Sequence, residues 1–131
     1  MSDRSLKTFP IHLGRGATAT RQPRFTGQMQ WYMDYGARTA DDGTDGFLVS
    51  MFTFTEPWDT WEMHPEGHEV VICTTGTMTL IQEVGGEHVK VVLRAGDAVI
   101  NPPGVWHTCD VAETATGVFL TAGVGTRMRP R

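Results

Sequence analysis

The chain has 131 residues, 40% of them hydrophobic and 20% charged, and a formal net charge of -4. That is the composition of one globular domain able to build its own core, and it excludes a disordered chain. The negative balance offers no basic field to a phosphate backbone, so no nucleic acid is expected as a partner.

The opening "MSDRSLKTFPIHLG" lacks the charged and apolar blocks of a signal peptide, and no apolar run approaches a membrane span. No membrane association and a cytoplasmic location are therefore expected. Two cysteines, Cys73 and Cys109, make no disulfide framework and read as reduced thiols. Residues 14–28, rich in Gly, Thr and Arg, read as an irregular arm. Residues 29–40 read as a short helix with Thr26 as its N-cap, closed by the turn cluster "DDGTDG" at 41–46.

From residue 47 the pattern turns to β. Short runs rich in Val, Ile, Thr and aromatics occupy 47–55, 60–64, 69–75, 77–84, 88–94, 97–101, 105–111 and 117–123. Gly85-Gly86, Ala95-Gly96 and Pro102-Pro103-Gly104 punctuate them. Strands this closely spaced leave no room for crossover helices and predict an antiparallel sandwich or barrel. The expected division is an N-terminal arm over 1–46 and a barrel over 47–131, one structural domain in all. The terminal "RMRPR" reads as a solvated tail, and His12 and His88 as solvent-face residues.

The chemistry concentrates in "WEMHPEGHE", residues 61–69. Glu62 and His64 are two apart on a strand, so their side chains share a face, whereas His68 and Glu69 alternate. His68 therefore reads as a loop or rim residue.

These residues resemble the cupins, small double-sheet β-barrels of jelly-roll type. The first cupin motif runs Gly-x5-His-x-His-x3-4-Glu-x6-Gly. Glu62-x-His64-x4-Glu69-x6-Gly76 follows that spacing, with Glu62 in the first His position and the leading Gly absent. The second runs Gly-x5-Pro-x-Gly-x2-His-x3-Asn, and Gly96, Pro102, Gly104 and His107 match it, with Val111 in place of Asn. Text around the motifs looks like small single-domain bacterial cupins.

The resemblance implies an all-β double-stranded β-helix and one divalent metal ion held by His64, Glu69, His107 and Glu62. Imidazoles with carboxylates suit Fe, Mn, Ni or Zn. It also implies a small polar molecule as ligand or substrate. One expectation is a metal-dependent dioxygenase, isomerase or lyase; the alternative is a non-catalytic sensor or sequestering cupin. Glu62, if not a ligand, is a candidate general base. A homodimer is expected from family habit, with the 14–28 arm as candidate exchanging or edge-covering segment. Cys73 and Cys109 share the ligand face and read as small apolar filling. Trp58, Trp61 and Trp106 are expected outside the cavity or at its lip. No Gly-x-Ser-x-Gly, phosphate loop or nucleotide fingerprint competes.

Overall fold

A computed structural model describes residues 4–131. In chain order the elements are β1 (Ile11–Gly14), β2 (Thr18–Arg21), α1 (Met29–Arg38), β3 (Phe47–Phe54), β4 (Thr60–Met63), β5 (Glu69–Thr75), β6 (Thr77–Val84), β7 (Glu87–Arg94), β8 (Ala98–Asn101), β9 (His107–Asp110), β10 (Ala115–Thr121) and β11 (Arg127–Pro130). A 3-10 turn over Ala40–Asp42 follows α1. No helix among the described residues is long and apolar enough to cross a membrane.

Two antiparallel sheets face each other as the walls of a jelly-roll barrel. One has the order β2-β1-β3-β10-β5-β8, the other β11-β4-β9-β6-β7. Gly85 and Gly86 make the two-residue turn between β6 and β7, both with positive φ, the primed geometry that matches strand twist. Gly76 joins β5 to β6 at φ +73, where a Cβ would stand 2.1 Å from the Thr114 carbonyl oxygen. Any side chain there would collide with backbone, so the motif glycine is a packing requirement.

Alternation along the strands sends Val71, Cys73, Met78, Leu80, Leu93, Cys109, Val111, Ala115 and Phe119 into one buried cluster. Each of the large aliphatic members contributes about 2 kcal/mol by leaving water. This cluster closes one end of the barrel.

The N-terminal segment differs from its expected form. Within residues 14–28, β2 pairs with β1, and β1 pairs with β3, so a hairpin extends the six-stranded sheet. Helix α1 starts after Gln28, without a side-chain cap; Thr26 accepts a bond from the Gln28 amide instead. Trp31, its buried residue, stacks on Tyr35 and meets Phe25 edge-on, and Phe25 in turn meets Phe52 of the barrel.

Two further expectations are corrected. His12 is buried rather than solvated, its Nδ1 at 2.6 Å from the Tyr35 hydroxyl and its Nε2 at 2.6 Å from Asp42. It ties the hairpin to α1 and the turn that follows. The C-terminal "RMRPR" is no free tail: residues 127–130 form β11 on β4, because Arg129 lies over the rings of Trp61 and Trp106 and pairs with Glu83. His88 and His68 are exposed, as expected.

Candidate metal centre

Two rows of side chains meet at the other end of the barrel. In the five-stranded sheet, Glu62 of β4 sits opposite His107 of β9, which sits opposite Gln82 of β6. In the six-stranded sheet, Thr121 of β10 sits opposite Glu69 of β5, which sits opposite Asn101 of β8. His64 follows β4 directly and shares the inward face of Glu62. Gln82 bridges the sheets by donating to Asn101 Oδ1 at 2.8 Å.

Four side chains converge. One ligand atom each from Glu62, His64 and His107 lie within 4.8 Å of one another. Glu69 Oε1 is 3.1 Å from His107 Nε2, and its Oε2 is 3.3 Å from His64 Nε2. His64, Glu69 and His107 are almost wholly buried, while Glu62 is partly open.

The outer hydrogen bonds fix how the imidazoles present themselves. The Thr126 hydroxyl donates to the Gly123 carbonyl at 2.8 Å, so it accepts from His64 Nδ1 at 2.7 Å. His107 Nδ1 donates to the Val105 carbonyl at 3.3 Å. Both rings therefore carry a proton on Nδ1 and turn Nε2 inward, as metal-ligating histidines do. Neither Nε2 has an aligned hydrogen-bond partner among the described residues, and both are buried. A bare lone pair facing a carboxylate at this range is repulsive unless a cation, proton or metal, lies between.

Glu69 is built to stay ionised. Thr121 donates to its Oε2 at 2.6 Å and Asn101 to its Oε1 at 3.1 Å. Burial alone would raise its carboxyl, but the imidazoles of His107 and His64 outweigh burial and hold it well below the usual carboxylate range. Burial alone would lower His107, yet contact with Glu69 and the charge of Glu62 leave it raised. Glu62 is raised by its own burial and then by the charge of Glu69. An anion-rich, proton-hungry cluster of nitrogen and oxygen donors fits a divalent cation.

Both thiols point below this cluster and are fully buried. Burial pushes the Cys109 thiol up to about 12 and raises Cys73 as well. Neither is a thiolate at neutral pH, which fits filling rather than ligation. Trp58 departs from the expected lip position. It packs on Phe54 and Phe119, its ring centroid lies 6.3 Å from that of His107, and its indole N–H is buried without a hydrogen-bond partner among the described residues. Trp61 is buried under Arg129, on the barrel's outer side.

Sequence reasoning did not find Thr121, Asn101, Gln82 or Thr126. Their signal lies in strand register, since each lies on or beside the row of a ligand-type residue only after pairing.

The family model described as Cupin domain matches residues 54–123. No curated protein matches the chain. Among solved structures, a cupin-2 domain containing protein from Shewanella frigidimarina is similar at 20% identity and TM-score 0.49, covering 65% of this chain and 71% of that one. An oxalate oxidase is similar at 19% identity and TM-score 0.53, covering 61% of this chain and 44% of that one. Peruvianin-I, described as a cysteine peptidase from Thevetia peruviana latex, is similar at 20% identity and TM-score 0.53, covering 64% and 56%. An oxidase and a peptidase match equally well, so the likeness speaks to fold and not to reaction.

Proposed function

The chain belongs to the cupin domain family, and from that premise we propose that it binds one divalent metal ion through His64, Glu69, His107 and Glu62 and offers it to a small oxygen-bearing molecule. The observation that carries this reading is the pair of buried, inward-turned Nε2 atoms that lack an aligned hydrogen-bond partner among the described residues and face Glu69. Nδ1 of each ring is already bonded on the far side.

The ion, when bound, supplies Lewis-acid or redox chemistry to an oxygen donor. The protein's own groups do the rest. Thr126 and the Val105 carbonyl aim the imidazoles; Asn101 and Thr121 hold Glu69 ionised and oriented. Glu62, the partly open member, is the group placed to move a proton or complete the shell. Two imidazoles and two carboxylates around a divalent ion are formally neutral, which favours harder ions such as Mn(II) and Fe(II) over Cu(II). A dioxygenase-type, isomerase or lyase reaction fits this donor set, and a small polar substrate fits a site of this kind.

Metal analysis of purified protein tests the reading directly. One equivalent of Fe, Mn, Ni or Zn is expected after purification or reloading. His64→Ala, Glu69→Ala and His107→Ala should each lose most of it and keep a cooperative thermal transition. Stoichiometric metal retained in any two of these variants would refute the site. Glu62→His should keep the metal and shift selectivity toward Zn or Ni if Glu62 is a ligand. Glu62→Gln should keep the metal and lower turnover if Glu62 moves a proton.

A further inference from the structure

Three buried side-chain nitrogens lack a hydrogen-bond partner among the described residues: Nε2 of His64, Nε2 of His107 and the indole Nε1 of Trp58. An ion that takes up their lone pairs accounts for the two imidazoles. The indole is a different case, because its nitrogen only donates and does not ligate a metal. It needs an acceptor.

Trp58 lies inside the barrel, between the core and the ligands. Its ring packs on Phe119 of the core cluster at 6.0 Å and on Phe54 at 5.5 Å between centroids. On its other side it meets the His107 ring in a T-shaped contact at 6.3 Å. Phenylalanine would meet the same rings without bringing a polar atom, so packing gives no reason for an indole here. Burying an N–H without a partner is costly, and a folded chain rarely accepts that cost without a use for the group.

The backbone holds residue 58 in place. Its amide donates to the Cys109 carbonyl at 2.9 Å, and Arg131 Nη1 donates to the Trp58 and Cys109 carbonyls at 3.0 and 3.3 Å. The other donors around the ligands are engaged. Thr121 and Asn101 donate to Glu69, Gln82 donates to Asn101, and Thr126 donates to the Gly123 carbonyl. Trp58 alone brings an uncommitted buried N–H to the ring of a ligand-type histidine.

We propose that the Trp58 indole N–H receives an oxygen of the molecule bound at the ion, and that this molecule carries a small carboxylate. A carboxylate has two acceptor oxygens, one for the ion and one for the indole. A charged acceptor makes the stronger hydrogen bond, and the hydrocarbon of Phe54 and Phe119 offers no rival acceptor. Trp58 is thereby a specificity-determining residue, since a site built around a buried donor rejects molecules that leave it unpaired. This inference rests on the metal reading.

Zinc-loaded protein, which is diamagnetic, is titrated with acetate while the indole N–H resonances of its four tryptophans are followed by two-dimensional NMR. The Trp58 resonance, assigned through its contacts with Phe54 and Phe119, should move downfield with a millimolar dissociation constant. Trp58→Phe should take up zinc as the wild type does and bind acetate about tenfold more weakly by calorimetry. Trp61→Phe, on the barrel's outer side, should leave that constant unchanged. A wild-type chain that takes up no zinc removes the metal reading and this one with it. With zinc bound, a Trp58 resonance that acetate up to about 50 mM leaves in place overturns this inference alone. So does an unchanged acetate constant in folded Trp58→Phe. The wild-type resonance decides the matter if Trp58→Phe melts without cooperativity.

Discussion

The two ends of the barrel are built on the same strands and do opposite work. Strand β5 starts with the carboxylate of Glu69 and carries Val71 and Cys73 on the same inward face; β9 starts with His107 and continues inward to Cys109. Within four residues the interior passes from charge and orphaned lone pairs to sulfur and hydrocarbon. The closed end gains stability from burial. The open end spends some of it, because grouped buried ionisable groups cost more than apolar packing would. Stability and binding are thereby segregated along the barrel axis.

The sharpest way to break this comparison is a pair of truncations. Leu80→Ala, at a wholly buried core position, should cost about 2–5 kcal/mol of unfolding free energy and leave metal stoichiometry at one. His107→Ala should do the reverse. It should lose about a hundredfold or more in metal affinity, as removal of one of four ligands implies, with a far smaller loss of melting temperature. Calorimetric melting and metal titration of both variants check it; equal losses in both measurements for either variant would dissolve the segregation.

A smaller effect is expected behind the ligands. Thr126→Val removes the hydroxyl that receives His64 Nδ1 and should weaken metal binding about tenfold to a hundredfold, measured by competition with a chelating dye. An unchanged affinity would mean that His64 is held by packing alone.

The pH dependence of the chelated protein follows from the two shifts. Glu69 is lowered in the folded state, so its contribution is full above the ordinary carboxylate value of 4.5 and fades as pH falls below it. His107 is raised, so its contribution is full below the ordinary imidazole value of 6.5 and fades as pH rises through the folded value. Metal-free protein should therefore melt highest at mildly acidic pH, between those two values. Metal displaces the imidazole proton, so affinity should rise with pH across the same range. A chelated protein that melts highest well above neutrality contradicts the assignment.

The smallest signal is a silence. Native protein should leave Cys109 and Cys73 unmodified by a bulky thiol reagent, with both reacting once denaturant is added. With its pKa near 12, Cys109 offers almost no thiolate at neutral pH. Prompt native labelling of Cys109 would place the closed end within reach of solvent.

Much of this layout is readable before folding, and the limits are physical. The bounds of β5 and β6 follow from Val, Ile and Thr runs ended by Glu69, Gly76 and the Gly85-Gly86 turn, all local signals. The ligand-type residues could be read because the motifs fix their spacing along the chain. His12 could not, since its partners Tyr35 and Asp42 stand 23 and 30 residues away. Strand β11 has almost no apolar alternation; what holds it is Arg129 on the rings of Trp61 and Trp106, a contact absent from any local window. Asn101 and Thr121 look like ordinary strand polarity until register places both beside Glu69.

The family match ends at residue 123, ahead of both Thr126 and β11. Yet β11 pairs with all four residues of β4, whose ladder with β9 holds the one register pair Glu62–His107. A subclone trimmed to the matching stretch would therefore strip the strand carrying Glu62 down to one rung of its ladder. It would also turn β4 into a bare edge, open to templated pairing with other molecules. Such a fragment should precipitate before its chemistry could be assayed, although every motif residue would still be in it.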